Sequence, residues 1–130
     1  MSTESTHTEL VERVVERLLD GDNQCLDTLR TQYAAAEWSI DVTESGLFVE
    51  FELPAGVDTI SERQNFHFGD VEAVVDELTY GIGFVLYVEE GRLSRLEGDT
   101  YEESLPDQVS NLTIHYTDTP RDLDELLRCQ

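Results

Sequence analysis

At Trp38 the apolar residues of this chain change their period, and that change limits the architectures open to it. Before it, Leu10, Val11, Val14, Val15, Leu18 and Leu19 recur at helical spacing behind the capping box Thr6-x-x-Glu9. The opposite face carries Glu9, Glu12, Arg13, Glu16 and Arg17, with Glu9 and Arg13 at the favourable i,i+4 offset. Gly21 reads as the residue that closes this helix in a left-handed conformation. Asp22 or Asn23 then caps a second helix over 24–36, with Leu26, Leu29 and Tyr33 on one face. So short a connection makes the two helices neighbours.

From Trp38 onward the period is two, the signature of half-buried strands. Trp38, Ile40 and Val42 alternate with polar residues, Glu44-Ser45-Gly46 turns the chain, and Val49, Phe51 and Leu53 alternate with Phe48, Glu50 and Glu52. This predicts a hairpin. Pro54 and Gly56 end it, and Ala55–Gln64, without periodicity, reads as a surface loop. A third strand is expected over Val71–Leu78, a stretch that also fits a short helix. Phe84–Val88 and Arg92–Leu96 form a second hairpin across Glu90-Gly91, and Asn111–Tyr116 supplies a last strand. Thr119, Pro120 and Asp122 have the order of a helix start, before Leu123, Leu126 and Leu127. The expected fold class is α+β: two N-terminal helices, a mainly antiparallel sheet of five to six strands and a short C-terminal helix. The 130 residues suit one domain, with residues 1–7 expected to be disordered.

Charge narrows the partners. There are 29 acidic residues against 8 basic ones, a net charge of −21, and every basic residue is arginine. Nucleic-acid binding draws on cationic contacts to phosphate, and scattered arginines among so many acids form no stripe, so nucleic acid is not an expected partner. The polar start Met1–Glu9 and the lack of a long apolar run point away from a membrane and toward a cytoplasmic protein. Cys25 and Cys129 lack metal-site spacing and are expected to be reduced thiols, with a disulfide between the helix and the tail as the other reading. The carboxylate-rich, lysine-free composition resembles that of proteins from extreme halophiles, whose charges are screened over a few ångström in molar salt. An acidic mesophilic protein that binds a basic partner is the other reading.

Three blocks carry a second resemblance: Leu18-Leu19-Asp20-Gly21-Asp22 with Leu26–Gln32; Phe68–Ala73 with Gly81–Val88; and Leu96-Glu97-Gly98 with Thr100-Tyr101. Together they resemble a family of small prokaryotic proteins to which no activity attaches. In that family the last block precedes a Trp-Pro pair, where this chain has Leu105-Pro106. The resemblance implies a shared fold and no particular chemistry.

No G-x-S-x-G nucleophile motif occurs. His67 and His115 alternate with apolar neighbours and are expected on the solvent side of their strands. Glu97, in the Leu-Glu-Gly block, is expected to accept hydrogen bonds from turn amides near Gly98 and Thr100. Gly81-Ile82-Gly83 lacks the helix and lysine of a phosphate loop and reads as a tight strand start. Trp38, Tyr80, Tyr101 and Tyr116 either line a groove or pack at the rim of the core. The leading expectation is therefore a protein-binding module that uses a sheet face or an edge strand, with no cofactor and no metal. The alternative is a small-molecule-binding protein or enzyme, with Glu97, His67 and Asp70 in one pocket and Tyr101 and Trp38 nearby.

Overall fold

A computed structural model describes residues 3–60 and 65–127. Two helices, α1 (Thr3–Leu18) and α2 (Gln24–Ala35), precede the strands β1 (Glu37–Thr43), β2 (Gly46–Glu52), β3 (Phe66–Val74), β4 (Ile82–Glu89), β5 (Arg92–Thr100) and β6 (Thr113–Tyr116). A five-residue helical segment, α3 (Leu123–Leu127), follows. The strands form one sheet in the order β1-β2-β5-β4-β3-β6, and every pairing is antiparallel. The fold is α+β.

The helical stripe read from the sequence is the core face of α1: Leu10, Val11, Val14, Val15, Leu18 and Leu19 are each at most 1% exposed. Burying each such side chain contributes about 1.5–3 kcal/mol relative to leaving it in water. They share one buried cluster with the inward residues of the sheet, among them Leu47, Val49, Ala73, Ile82, Phe84, Leu86 and Leu96, with α1 lying against β3 and β6 and α2 against β5. The helix starts at Thr3, ahead of the Thr6 capping box. His7, within the stretch expected to be disordered, is 3% exposed, with Nε2 3.0 Å from the Pro106 carbonyl oxygen.

Arginine closes the other end of α1. The carbonyls of Leu18 and Asp20 accept from Arg121, and those of Leu19 and Gly21 accept from Arg30. Helix C-terminal carbonyls lack intrahelical donors and carry partial negative charge, so a planar cationic fork suits them better than an ammonium. Gly21 has φ +138, and a Cβ there would lie 2.9 Å from a methyl of Leu123, so a side chain at this position would collide with α3. Asn23 caps α2, its side chain accepting from the amides of Cys25 and Leu26 at 2.8 and 3.2 Å. Cys25 is disulfide-bonded, which corrects the expectation of a reduced thiol. Cys129 lies outside the described residues.

Both predicted hairpins are present. Glu90 and Gly91 have φ of 53° and 75°, the paired positive values that match a two-residue turn to strand twist. The third strand is a strand, but it runs Phe66–Val74 instead of Val71–Leu78. A bulge explains the misplacement: Phe68 pairs with Leu86 and Val71 with Phe84, so β3 uses one residue more than β4 over the same distance. Phe68 and Val71 are therefore both buried although they are three apart, and the alternation looks broken in the sequence. The 55–64 stretch is not wholly at the surface, since Ile60 is 3% exposed and its amide donates to the Gly91 carbonyl. Residues 61–64 of that loop lie outside the described residues. The helical segment at the end starts at Leu123, later than Thr119-Pro120: residues 117–120 bend, and Arg121, just before the segment, pairs with Asp70.

Candidate functional site: the uncovered face of the sheet

Side chains alternate across a strand, so the inward set that meets the helices defines a second set pointing the other way. Register sorts this outer set into rows. One row runs Ser39, Glu50, Arg95, Tyr87, His67; the next runs Asp41, Phe48, Glu97, Val85; a third runs Thr43, Gly46, Asp99, Gly83, Glu72, His115. Phe48, Val85 and Tyr87 are half-buried at the centre, and the carboxylates of Glu50, Glu72, Glu89, Glu97 and Asp99 surround them.

A second bulge builds the middle of this face. Tyr87 pairs with Arg95 and Val88 with Leu93, so Ser94 is the additional residue and Arg95 points outward. The guanidinium lies 4.3 Å from the centroid of the Tyr87 ring, its Nε donates to Glu97 at 2.8 Å, and Glu89 stands 4.0 Å away. Glu97 is thus a mid-strand residue paired with Arg95. The expected hydrogen bonds from turn amides do not form, because Gly98 and Thr100 belong to β5 and the Thr100 amide donates to Ser45. On the far side of Tyr87, the His67 ring is 5.5 Å away and exposed.

The third row ends in a smaller cluster. The Tyr101 hydroxyl donates to Glu72 at 3.2 Å, and His115 Nε2 lies 3.7 Å from the other Glu72 oxygen. Burial first, then the Glu72 carboxylate, pushes the Tyr101 hydroxyl above the ordinary tyrosine range, so it stays a donor at neutral pH. Gly83 leaves room for that hydroxyl, since a Cβ there would stand 2.4 Å from it. The preceding Gly81, at φ +77, makes the tight strand start read from the sequence.

The five residues singled out in the sequence separate onto two sides. Glu97, His67 and Tyr101 belong to the uncovered face. Asp70 does not join them: the β3 bulge turns it toward the helices, where it is 8% exposed and ion-paired with Arg121 at 2.7 Å. Trp38 also faces the helix side, stacked 6.4 Å from Tyr33. An open depression of about 440 Å³ is lined by Asn65, Phe66, His67, Tyr87, Val88, Glu89 and Glu90, and so includes neither Glu97 nor Asp70. Among the described residues no three of His, Cys, Asp and Glu gather as a metal site, and no helix is long and apolar enough to cross a membrane. The sequence reading passed over Phe48, Val85, Tyr87 and Arg95. Alternation along β4 marked Val85 and Tyr87 as facing away from Phe84 and Leu86, but nothing in the sequence said that no element covers them.

Compared with family models, curated proteins and solved structures, the chain matches none.

Proposed function

We propose that this protein is an interaction module, not an enzyme, and that it binds another protein through the uncovered face of its sheet. The observation that carries this reading is the apolar centre Phe48–Val85–Tyr87 standing in a ring of carboxylates with, among the described residues, no helix or strand packed over it. Surface patches of this composition, an apolar middle with a charged rim, are what protein interfaces use, and the rim selects a partner with a basic border. The test is capture from the organism's own lysate in multimolar KCl, with Val85→Arg as the comparison. One stoichiometric protein held by the wild type and released by the variant supports the reading. An empty wild-type bait overturns it and directs attention to a small ligand at Glu97.

The same proposal places the protein in a cytoplasm of high ionic strength. Its surface of 7507 Å² carries one unbalanced negative charge per roughly 360 Å², a density that molar salt screens to about 3 Å. The disulfide at Cys25 argues the other way, since reducing compartments disfavour such bonds. Circular dichroism decides the salt requirement: loss of structure on dialysis to millimolar KCl is expected, and an unchanged spectrum refutes it.

A further inference from the structure

The outer edge of the sheet at β1 is unpaired, and its surroundings are specific. β1 is a terminal strand of seven residues, and among the described residues nothing pairs with it on the side away from β2. Its helix-side residues Trp38 and Ile40 are only partly buried, and Val42 is 52% exposed. Its other side carries Glu37, Ser39, Asp41 and Thr43. Between Glu37 and Glu52 there are five acids and no basic residue. Glu37 and Glu52 stand directly opposite each other, a like-charge cross-strand pair that works against the hairpin. Natural edges are blunted by charged side chains, by proline or by an extra bulge. This one has only charges of one sign, Glu37 and Asp41: it is regularly paired from Glu37 to Thr43 and contains no proline and no basic residue, so what keeps other acidic edges away leaves it open to a cationic one.

We infer that β1 is a β-augmentation site for an extended, cationic protein segment, an inference that rests on the protein-binding reading above and names where part of the partner sits. A strand added about 4.8 Å from β1 would satisfy its free amides and carbonyls. Alternation then fixes the partner's chemistry. Residues beside Trp38, Ile40 and Val42 are apolar, and those beside Glu37 and Asp41 are lysine or arginine, which also relieves the Glu37–Glu52 repulsion. A second copy of this chain is a poor occupant, because its own β1 brings the same carboxylates to the seam.

The chain's single tryptophan is on this strand, so the site carries its own reporter. The probe is a blocked peptide of about eight residues, the length of an ordinary strand, that alternates lysine and valine. Two controls replace its lysines by glutamate or two of its valines by proline. Titration at about 1 M KCl screens diffuse attraction to the acidic chain to about 3 Å and leaves only contact pairing. The expected result is a saturable change in Trp38 emission, at least about tenfold tighter for the lysine peptide than for either control, with slowed amide exchange confined to 37–43. The double variant Glu37→Lys/Asp41→Lys is expected to lose binding about tenfold while keeping its melting temperature, since it removes the Glu37–Glu52 repulsion. Equal binding by the proline peptide, retention by the double variant, or protection on β6 overturns the inference. If Val85→Arg abolishes peptide binding and the double variant does not, the face reading stands and the edge falls. Peptide binding at β1 with an empty lysate bait gives the reverse.

Discussion

Replacing Arg121 by methionine tests what ties the last segment to the body of the protein. Its guanidinium donates to both oxygens of Asp70 at 2.7 and 3.0 Å and to the carbonyls of Leu18 and Asp20 at 3.0 and 2.6 Å, and it lies 4.4 Å from the Tyr116 ring centroid. The Arg121 and Asp70 side chains are 9% and 10% exposed. Removing one member of such a pair strands the other charge away from water, which costs about 3–5 kcal/mol. For a chain of this length that corresponds to a fall in Tm of roughly 10–20 °C. Asp70→Asn keeps an acceptor for the arginine and leaves its carbonyl contacts in place, so it costs about 1–2 kcal/mol. The double variant Asp70→Asn/Arg121→Met buries no charge and is expected to be more stable than Arg121→Met alone. Urea unfolding at constant high salt, followed by circular dichroism, measures all three. If Arg121→Met costs less than about 1 kcal/mol, or if the double variant is no better than that single one, the pair is not a buried charge pair and the reasoning fails.

Tyr33 is pushed up to about 12 by burial, with Glu12 and Glu16 adding to the effect. Between pH 10 and 12 the unfolded chain gives up this proton and the folded chain keeps it, so stability is full below about pH 10 and falls as pH rises toward 12. Tyr33→Phe should flatten that decline in thermal melts, and an unchanged slope would remove Tyr33 as its source. Gln32, wholly buried, donates to the carbonyls of Asp58 and Gly91 at 2.8 and 2.9 Å and accepts from the Leu93 amide at 2.8 Å. Gln32→Leu takes this partner from the Asp58 carbonyl and the Leu93 amide, while the Gly91 carbonyl keeps the Ile60 amide, and is expected to cost about 2–4 kcal/mol; a loss below about 1 kcal/mol would show that water replaces the amide. In denaturant without reductant, Cys25 should resist alkylation by iodoacetamide and become reactive only after dithiothreitol, as mass mapping of its peptide would read. Labelling before reduction contradicts the disulfide.

What the sequence made legible follows from how local each signal is. The α1 stripe and both hairpins depend on periodicity and turn chemistry within about a dozen residues, and each is found where the pattern put it. Asp70 illustrates the failure. Gly69 is the one local mark of a bulge in Phe68-Gly69-Asp70-Val71; read as a regular strand, the stretch makes Asp70 a neighbour of His67 when it belongs with Arg121, distant in sequence. Glu97 reads as a carboxylate beyond the strand Arg92–Leu96, tied to turn amides, but it lies inside β5, and its partner Arg95 is set by the second bulge, which the sequence conceals. The uncovered face was the least visible feature, because coverage depends on where α1 and α2 dock and not on any residue of β4. Trp38 was singled out as a binding candidate among aromatics. The structure puts it on the unpaired edge strand, stacked on Tyr33 and facing the helices.

The two bulges flank the same strand, and together they make β4 a ruler against which its neighbours are overlong. β3 and β5 each spend one residue more than β4 does in crossing the sheet, at Gly69-Asp70 and at Ser94. Inside and outside are therefore a matter of counting parity from the nearer bulge, not from the strand ends. Deleting one residue at either place would leave a regular ladder in which the strands keep their partners, Phe68 opposite Leu86 on β3 and Leu93 opposite Val88 on β5, so both faces keep their residues. The same deletion in a regular stretch of either strand would instead move every residue between it and the strand end to the other face. The extra residues thus record the register in which a buried carboxylate and an exposed guanidinium are both possible. A one-residue deletion at a bulge is predicted to keep the apolar face and the sheet, and one away from the bulges to scramble the faces.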